Sequence, residues 1–221
     1  MISREEFLDS LVTDLGPVRP APDVRLLAGC WLILTGICVV GLTHAFGPLR
    51  PTALAQLQAH PRFLVEMLLG AVTFMALGAL AFRVAIPGAA SATLKWLAAA
   101  AGGLWVAAIV TGLVAPALEP SMLGKRDHCY LETLFYALPP LLAVLYWQHR
   151  LYALSPSRSA VVAGLAAGSL PALYMQIACM YAPPHILLFH IGPGAVAGLL
   201  APLLVLGYRR YRLSRGSAGT D

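Results

Sequence analysis

The chain has 221 residues, of which 59% are hydrophobic and 11% are charged, and its formal net charge is +5. So few polar residues exclude a sizeable soluble domain and favour an all-α membrane protein that crosses the bilayer several times. Anionic lipid at the inner surface of a membrane accounts for the positive charge, so no direct contact with nucleic acid is expected.

The first 25 residues predict a short helix followed by a tether. Ser3 and Glu6 have the spacing of a capping box, and Gly16-Pro17 is a stop signal, so a helix is predicted over Arg4 to Leu15. No cleaved signal peptide is expected, because the first apolar run is long and lacks a small-residue cleavage site. The apolar face of the predicted helix consists of Phe7, Leu8, Leu11, Val12 and Leu15.

The charge of this helix indicates what would cover its apolar face. A helix of this length is marginal in water and needs a surface on which to pack. Its charged residues are Glu5, Glu6, Asp9 and Asp14, against the single Arg4, so anionic lipid would repel it. A basic protein with an apolar groove is the expected partner. The alternative is a helix that folds back onto basic loops of the chain itself.

Six apolar runs of 18 residues or more follow the tether, each long enough to span a hydrocarbon core of about 30 Å. Small-residue pairs in the last two runs, Gly164 with Gly168 and Gly194 with Gly198, predict close helix packing. The six runs are Leu26 to Phe46, Phe63 to Ile86, Leu94 to Leu118, Tyr130 to Trp147, Ala160 to Tyr181 and Ile186 to Tyr208.

The distribution of basic residues predicts the orientation. Eleven Lys and Arg residues lie on the side of the two termini and four on the other side, and short basic loops are retained in the cytoplasm. The prediction is a multi-pass membrane protein with both termini in the cytoplasm. It would have a tail over residues 1–25, a membrane domain over residues 26–208 and a basic tail over residues 209–221.

Two of the four cysteines are expected at the outer side of this membrane domain. Cys129 opens the fourth run and Cys179 lies near the outer end of the fifth, so adjacent antiparallel helices would bring them to one depth. In an oxidising compartment the pair would form a disulfide, or it would act as soft ligands for Zn, Cd or Cu(I). No cofactor is required by this reading, and Cys30 and Cys38 are expected to be buried thiols without a role.

Other polar residues map to the same depth. Five of the six histidines do so. A carboxylate inside a membrane costs free energy to bury and is therefore a candidate for a functional role. Glu66 has a simpler explanation, since Arg62 is four residues away and would pair with it. The auxiliary candidates for sensing are His128, Glu132, Glu66 and His185.

Two motifs resemble those of the NrsF-type membrane anti-sigma factors. They are DLGPVRP at residues 14–20 and CYLETLFYALPP at residues 129–140, and the similarity extends over nearly the whole chain. The resemblance implies a protein that holds an extracytoplasmic-function sigma factor at the membrane and releases it on heavy-metal or oxidative stress. It also implies sensing by Cys129 and Cys179, and adds Asp14, Pro17 and Arg19 to the sigma-binding residues of the tail.

Two other classes of function fit parts of this sequence. A membrane thiol oxidoreductase would need exposed cysteines of low pKa and a relay pair, and no CxxC motif is present. A haem or ion transporter would need matching histidines on both sides, and the inner side has only His149. Neither alternative explains the capped acidic tail, so the protein is expected not to be an enzyme.

Overall fold

A computed structural model describes residues 3–13 and 22–217 of the chain. The protein is 78% helical, no β-strand occurs in the described part, and six helices are long and apolar enough to cross a membrane, which confirms the predicted fold class. The helices are α1 (Arg4–Thr13), α2 (Val24–Phe46), α3 (Ala53–Ala59), α4 (Pro61–Arg83), α5 (Ala92–Thr111), α6 (Cys129–Arg150), α7 (Pro156–Ala178), α8 (Pro183–Ile186), a π-helical turn (Leu187–Ile191) and α9 (Gly192–Ser217).

Helix α1 begins with the predicted capping box. The Ser3 amide donates to Glu6 Oε2 at 2.9 Å, and the Glu6 amide donates to Ser3 Oγ at 3.2 Å. Phe7, Leu8 and Val12 are exposed, so the bundle does not cover this side of the helix. Other residues assigned to partner binding, namely Asp14, Leu15, Pro17 and Arg19, lie outside the described residues, as does the side chain of Leu11.

Several helix ends differ from the predicted ones for local reasons. The third span ends at Thr111 and not at Leu118, since a connection with Pro116 and Pro120 follows it. Helices α4, α7 and α8 each begin at a proline, which suits a first turn whose N–H groups have no partner within the helix. Helix α9 continues through Ser217, so most of the segment predicted as a basic tail is helical.

The spans run alternately up and down, so the bundle has two distinct ends. At the end where α2 begins, here called the tail end, Gln148 of α6 donates to the carbonyl oxygens of Ala81 and Ser159 at 2.7 and 3.1 Å. The opposite end, here called the cysteine end, contains the start of α6 and the end of α7. Helix α7 is the most buried span and packs against α4, α6 and α9.

Glycines set the contact between α7 and α9. A Cβ atom on Gly164 would overlap the carbonyl oxygen of Ala197, and one on Gly168 would overlap that of Gly194. The two backbones therefore approach as closely as the small-residue pairs predict. This contact holds α9, and with it the segment that precedes α9, against the end of α7.

Candidate metal centre

Cys129 and Cys179 lie side by side at the cysteine end. Cys129 is the first residue of α6 and Cys179 directly follows α7, so the antiparallel packing of these two helices brings both residues to one level. Their side chains are 3% and 0% exposed, and both thiols are free. The pair is therefore closed off from solvent without being joined by a disulfide.

Two histidines complete a cluster around these thiols. His185 Nε2 lies 3.2 Å from Cys129 Sγ and 3.5 Å from Cys179 Sγ. The His185 ring stacks on Phe189 and meets the His190 ring edge to face, with centroids 4.8 and 5.0 Å apart. The four ligand atoms, one from each of Cys129, Cys179, His185 and His190, all lie within 4.8 Å of one another.

His190 lies in the interior of this cluster. Its side chain is fully buried, and within the described part of the chain neither ring nitrogen has a hydrogen-bond partner. Buried polar atoms are rarely left without partners, because each costs about 1–3 kcal/mol in lost hydration. A metal ion bound between the thiols and the imidazoles would give one His190 nitrogen a coordination bond.

The π-helical turn explains how two histidines five residues apart come together. On an α-helix of 3.6 residues per turn, positions five apart point about 140° away from each other. The turn Leu187–Ile191 closes with the Gly192 amide donating to the Leu187 carbonyl, the i to i+5 pattern that often marks functional sites. The wider turn carries His190 round towards His185.

A buried arginine lies next to the cluster. Arg50 Nη1 donates to the carbonyl oxygen of Cys179 at 3.2 Å, and the guanidinium lies 5.7 Å from the ring centre of Phe63 and 6.0 Å from that of Tyr181. Burial lowers the pKa of Arg50, since loss of water disfavours the charged form. Hydrogen bonding from Cys129 and His185 lowers the pKa of the Cys179 thiol, so this environment favours a thiolate.

Glu132 lies one turn after Cys129 but serves a different contact. Its Oε2 atom lies 2.6 Å from Arg126 Nη1 and accepts a hydrogen bond from the Tyr136 hydroxyl at 3.2 Å. Arg126 Nη2 also donates to the carbonyl oxygens of Thr43, Gly47 and Pro48 at the end of α2. Glu132 is therefore part of a link between α6 and α2.

Glu66 and His128 are also separate from the cluster. Glu66 is buried and accepts hydrogen bonds from the Tyr181 hydroxyl at 3.1 and 3.3 Å. The alternative considered for Glu66, an ion pair with Arg62, is not formed: the exposed Arg62 side chain donates to Thr111 Oγ1 at 3.2 Å. Burial, and after it the Glu66 carboxylate, raises the pKa of Tyr181, which keeps this hydroxyl a donor. His128 is exposed at the start of α6.

A comparison of the sequence with models of known protein families identifies the family of this chain. A family model described as negative regulator of sigma F, NrsF, matches residues 11–211. The chain belongs to the NrsF family. Membership supports a role as a negative regulator of a sigma factor, in agreement with the resemblance seen in the two sequence motifs. Among curated proteins and among solved structures, no match to the chain is found.

In this NrsF family member, sequence reasoning found three of the four clustered residues and missed the fourth. Cys129, Cys179 and His185 were candidates by depth, whereas His190 was only one of several histidines on the same side. Its distance of five residues from His185 gave no helical register to connect them. The Pro183-Pro184 pair and Gly192, which flank the irregular turn, were the available signals.

Proposed function

We propose that this NrsF family member is an anti-sigma factor that holds an extracytoplasmic-function sigma factor at the bacterial inner membrane. The tail binds the sigma factor, and heavy-metal or oxidative stress acting on Cys129 and Cys179 releases it. The observation that carries the proposal is the capped acidic helix α1, whose apolar side chains are exposed in a protein otherwise built into a membrane.

The exposed face of α1 supports the capture of a partner. Phe7 and Val12 expose 55% and 65% of their surface. Leaving this apolar surface in water is unfavourable, and a helix of ten residues is only marginally stable by itself. Glu5, Glu6 and Asp9 favour a partner with basic residues around an apolar groove. Since the family regulates a sigma factor, that protein is the partner to test first.

The distribution of basic residues supports cytoplasmic termini. The tail end of the bundle contains the C-terminal part of α9, which holds Arg209, Arg210, Arg212 and Arg215. Short basic segments generally remain on the cytoplasmic side, which supports an orientation with the cysteine end at the opposite face of the membrane. A stress signal from outside would then reach the cysteines while the tail remains next to the cytosol.

The state of the two cysteines supports sensing over catalysis. Both are buried, whereas thiol oxidoreductases depend on thiolates that substrates can reach. A regulator family likewise supports a role without enzymatic activity. Either a soft metal ion or oxidation would join Cys129 and Cys179 and so change the contact between α6 and α7.

Co-purification from bacterial membranes tests the capture step. The full chain with Glu5, Glu6 and Asp9 replaced by Lys should lose the sigma factor, because three attractive charges become repulsive. The control Glu119→Lys changes an exposed carboxylate in the connection after α5 and should retain it. Equal recovery of the sigma factor by both variants would remove the tail from the mechanism.

A further inference from the structure

We propose that Cys129, Cys179, His185 and His190 form a closed, four-ligand site for a divalent cation with a filled d shell, Zn²⁺ or Cd²⁺. The inference deepens the proposed sensing role of the cysteines and rests on it for its regulatory meaning. It makes the two histidines equal partners of the thiols in the coordination of the ion.

The distances between ligand atoms fit tetrahedral coordination. With Zn–S bonds of about 2.3 Å and Zn–N bonds of about 2.0–2.1 Å, neighbouring S and N ligands lie about 3.5 Å apart. His185 Nε2 lies 3.2 and 3.5 Å from the two sulfur atoms, and no pair among the four ligand atoms exceeds 4.8 Å. Small side-chain movements would therefore enclose an ion.

The chemistry of the four ligands selects the class of ion. Thiolate and imidazole together suit Zn²⁺ and Cd²⁺, whereas Mg²⁺ and Ca²⁺ need oxygen ligands. The nearest carboxylate on α6, Glu132, is held by Arg126. Four protein ligands also leave no open position for a reacting water, as in structural zinc sites and unlike catalytic ones.

The charges of the ion and its ligands balance, which allows the site to lie in the protein interior. The binding step is M²⁺ + 2 Cys–SH → (Cys–S)₂M + 2 H⁺, with two neutral imidazoles completing the coordination. Two thiolates cancel the charge of the ion, so the loaded site is neutral and avoids the large cost of burying a net charge. Arg50 donates to the backbone carbonyl oxygen of Cys179 at 3.2 Å and so helps to hold this ligand in place.

The unpartnered ring of His190 is a second, independent indication of a ligand. Oxidation of the thiols would leave both of its buried nitrogens as they are, whereas coordination gives one of them a bond. An ion at this place would tie together the start of α6, the end of α7 and the turn that leads into α9. A disulfide would join only the first two.

The test uses the full chain, purified in detergent and titrated with Cd²⁺ and Co²⁺ as the free ions. One ion per chain is expected, with a sulfur-to-cadmium charge-transfer band and, for Co²⁺, the intense visible absorption of tetrahedral coordination. His185→Ala and His190→Ala should each weaken Cd²⁺ binding by at least the roughly 10–100-fold seen when supporting groups of a metal site are lost. The control His128→Ala, at an exposed histidine outside the cluster, should bind like the original protein.

Disulfide formation by a thiol oxidant separates loss of a ligand from loss of the fold. Both histidine variants should still cross-link Cys129 to Cys179 at the original yield. Unchanged Cd²⁺ affinity in both histidine variants, or no Cd²⁺ binding by the original chain, would overturn the inference. Sigma-factor co-purification is measured on the same preparations before Cd²⁺ is added: absence of the sigma factor from a chain that later binds Cd²⁺ contradicts the proposed function alone, and capture of the sigma factor by a chain that does not bind Cd²⁺ contradicts this site alone.

Discussion

Arg126 joins the first turn of α6 to the end of α2 through its contact with Glu132. Its Nη1 atom lies 2.6 Å from Glu132 Oε2, while Nη2 donates to the carbonyl oxygens of Thr43, Gly47 and Pro48 at 3.0, 2.7 and 3.1 Å. Helix α2 is the span to which the tail is attached, and Cys129 is one turn before Glu132 on α6. The Arg126–Glu132 ion pair therefore connects the helix that begins at Cys129 with the helix that carries the tail.

Arg126→Gln should destabilise the bundle. The two side chains are only 7% and 16% exposed, and removal of one partner from a buried pair typically costs about 3–5 kcal/mol because the other charge is left uncompensated. Thermal unfolding in detergent should show a clear fall in Tm. Lys125→Gln, at the neighbouring exposed cation, should leave the Tm unchanged, and equal values for both variants would contradict the role of the pair.

Cys129→Ser and Cys179→Ser should alter release of the sigma factor while leaving its capture intact. Each variant removes one soft ligand at the cysteine end, far from the tail, and serine binds soft ions poorly. A reporter gene under control of the sigma factor measures induction by Cd²⁺, and co-purification measures capture. Cys30→Ser is the matched control: the expectation that Cys30 and Cys38 are buried is wrong, since α2 leaves Cys30 exposed and Cys38 half-buried. Normal induction in both variants would exclude the cysteines from sensing.

Gly168→Ala should loosen the contact between α7 and α9. The added Cβ would overlap the Gly194 carbonyl, so backbones must move apart, and such overpacking typically costs about 1–3 kcal/mol. Gly36→Ala in α2 adds the same methyl group where no atom lies within 4 Å and should have little effect on Tm. If the two alanine variants unfold at the same temperature, the close approach of α7 and α9 is not limiting.

Capping of α1 should depend on pH through Glu6. Hydrogen bonds from the Ser3 amide and hydroxyl lower the pKa of Glu6 below its ordinary value of 4.5. A lowered pKa in the helix means that the stabilisation is present above the unfolded value and is lost as the pH falls through the folded value. The protection factors of the α1 amides in the full chain, which correct the exchange rates for their intrinsic dependence on pH, should therefore fall in acid.

Glu6→Gln is the control for this effect, because glutamine also completes a capping box but does not titrate. Protection of the first turn in Glu6→Gln should change less with pH than in the original chain. The same acid response in both proteins would assign the effect to the other carboxylates of the tail, Glu5 and Asp9 among them.

Part of the cysteine end could be predicted from the sequence and part could not. The common depth of Cys129 and Cys179 follows from their places at the ends of two consecutive apolar runs. The role of His190 does not, because the π-helical turn that carries it towards His185 has no hydropathy signal. For Glu66, the spacing within one helix was misleading. Arg62, four residues away, is a possible ion-pair partner by sequence, but the buried Glu66 carboxylate accepts hydrogen bonds from the Tyr181 hydroxyl.

Six membrane spans, a capped N-terminal helix and a close contact between the last two spans follow from the sequence alone. These features depend on hydropathy, on spacing within one helix and on the size of single residues, all of which are local properties. The partners of Arg126 and the four-residue cluster depend on the tertiary structure. The contacts of Cys129 with His185 and of Arg126 with Pro48 join residues 56 and 78 positions apart, through a packing that no local pattern specifies.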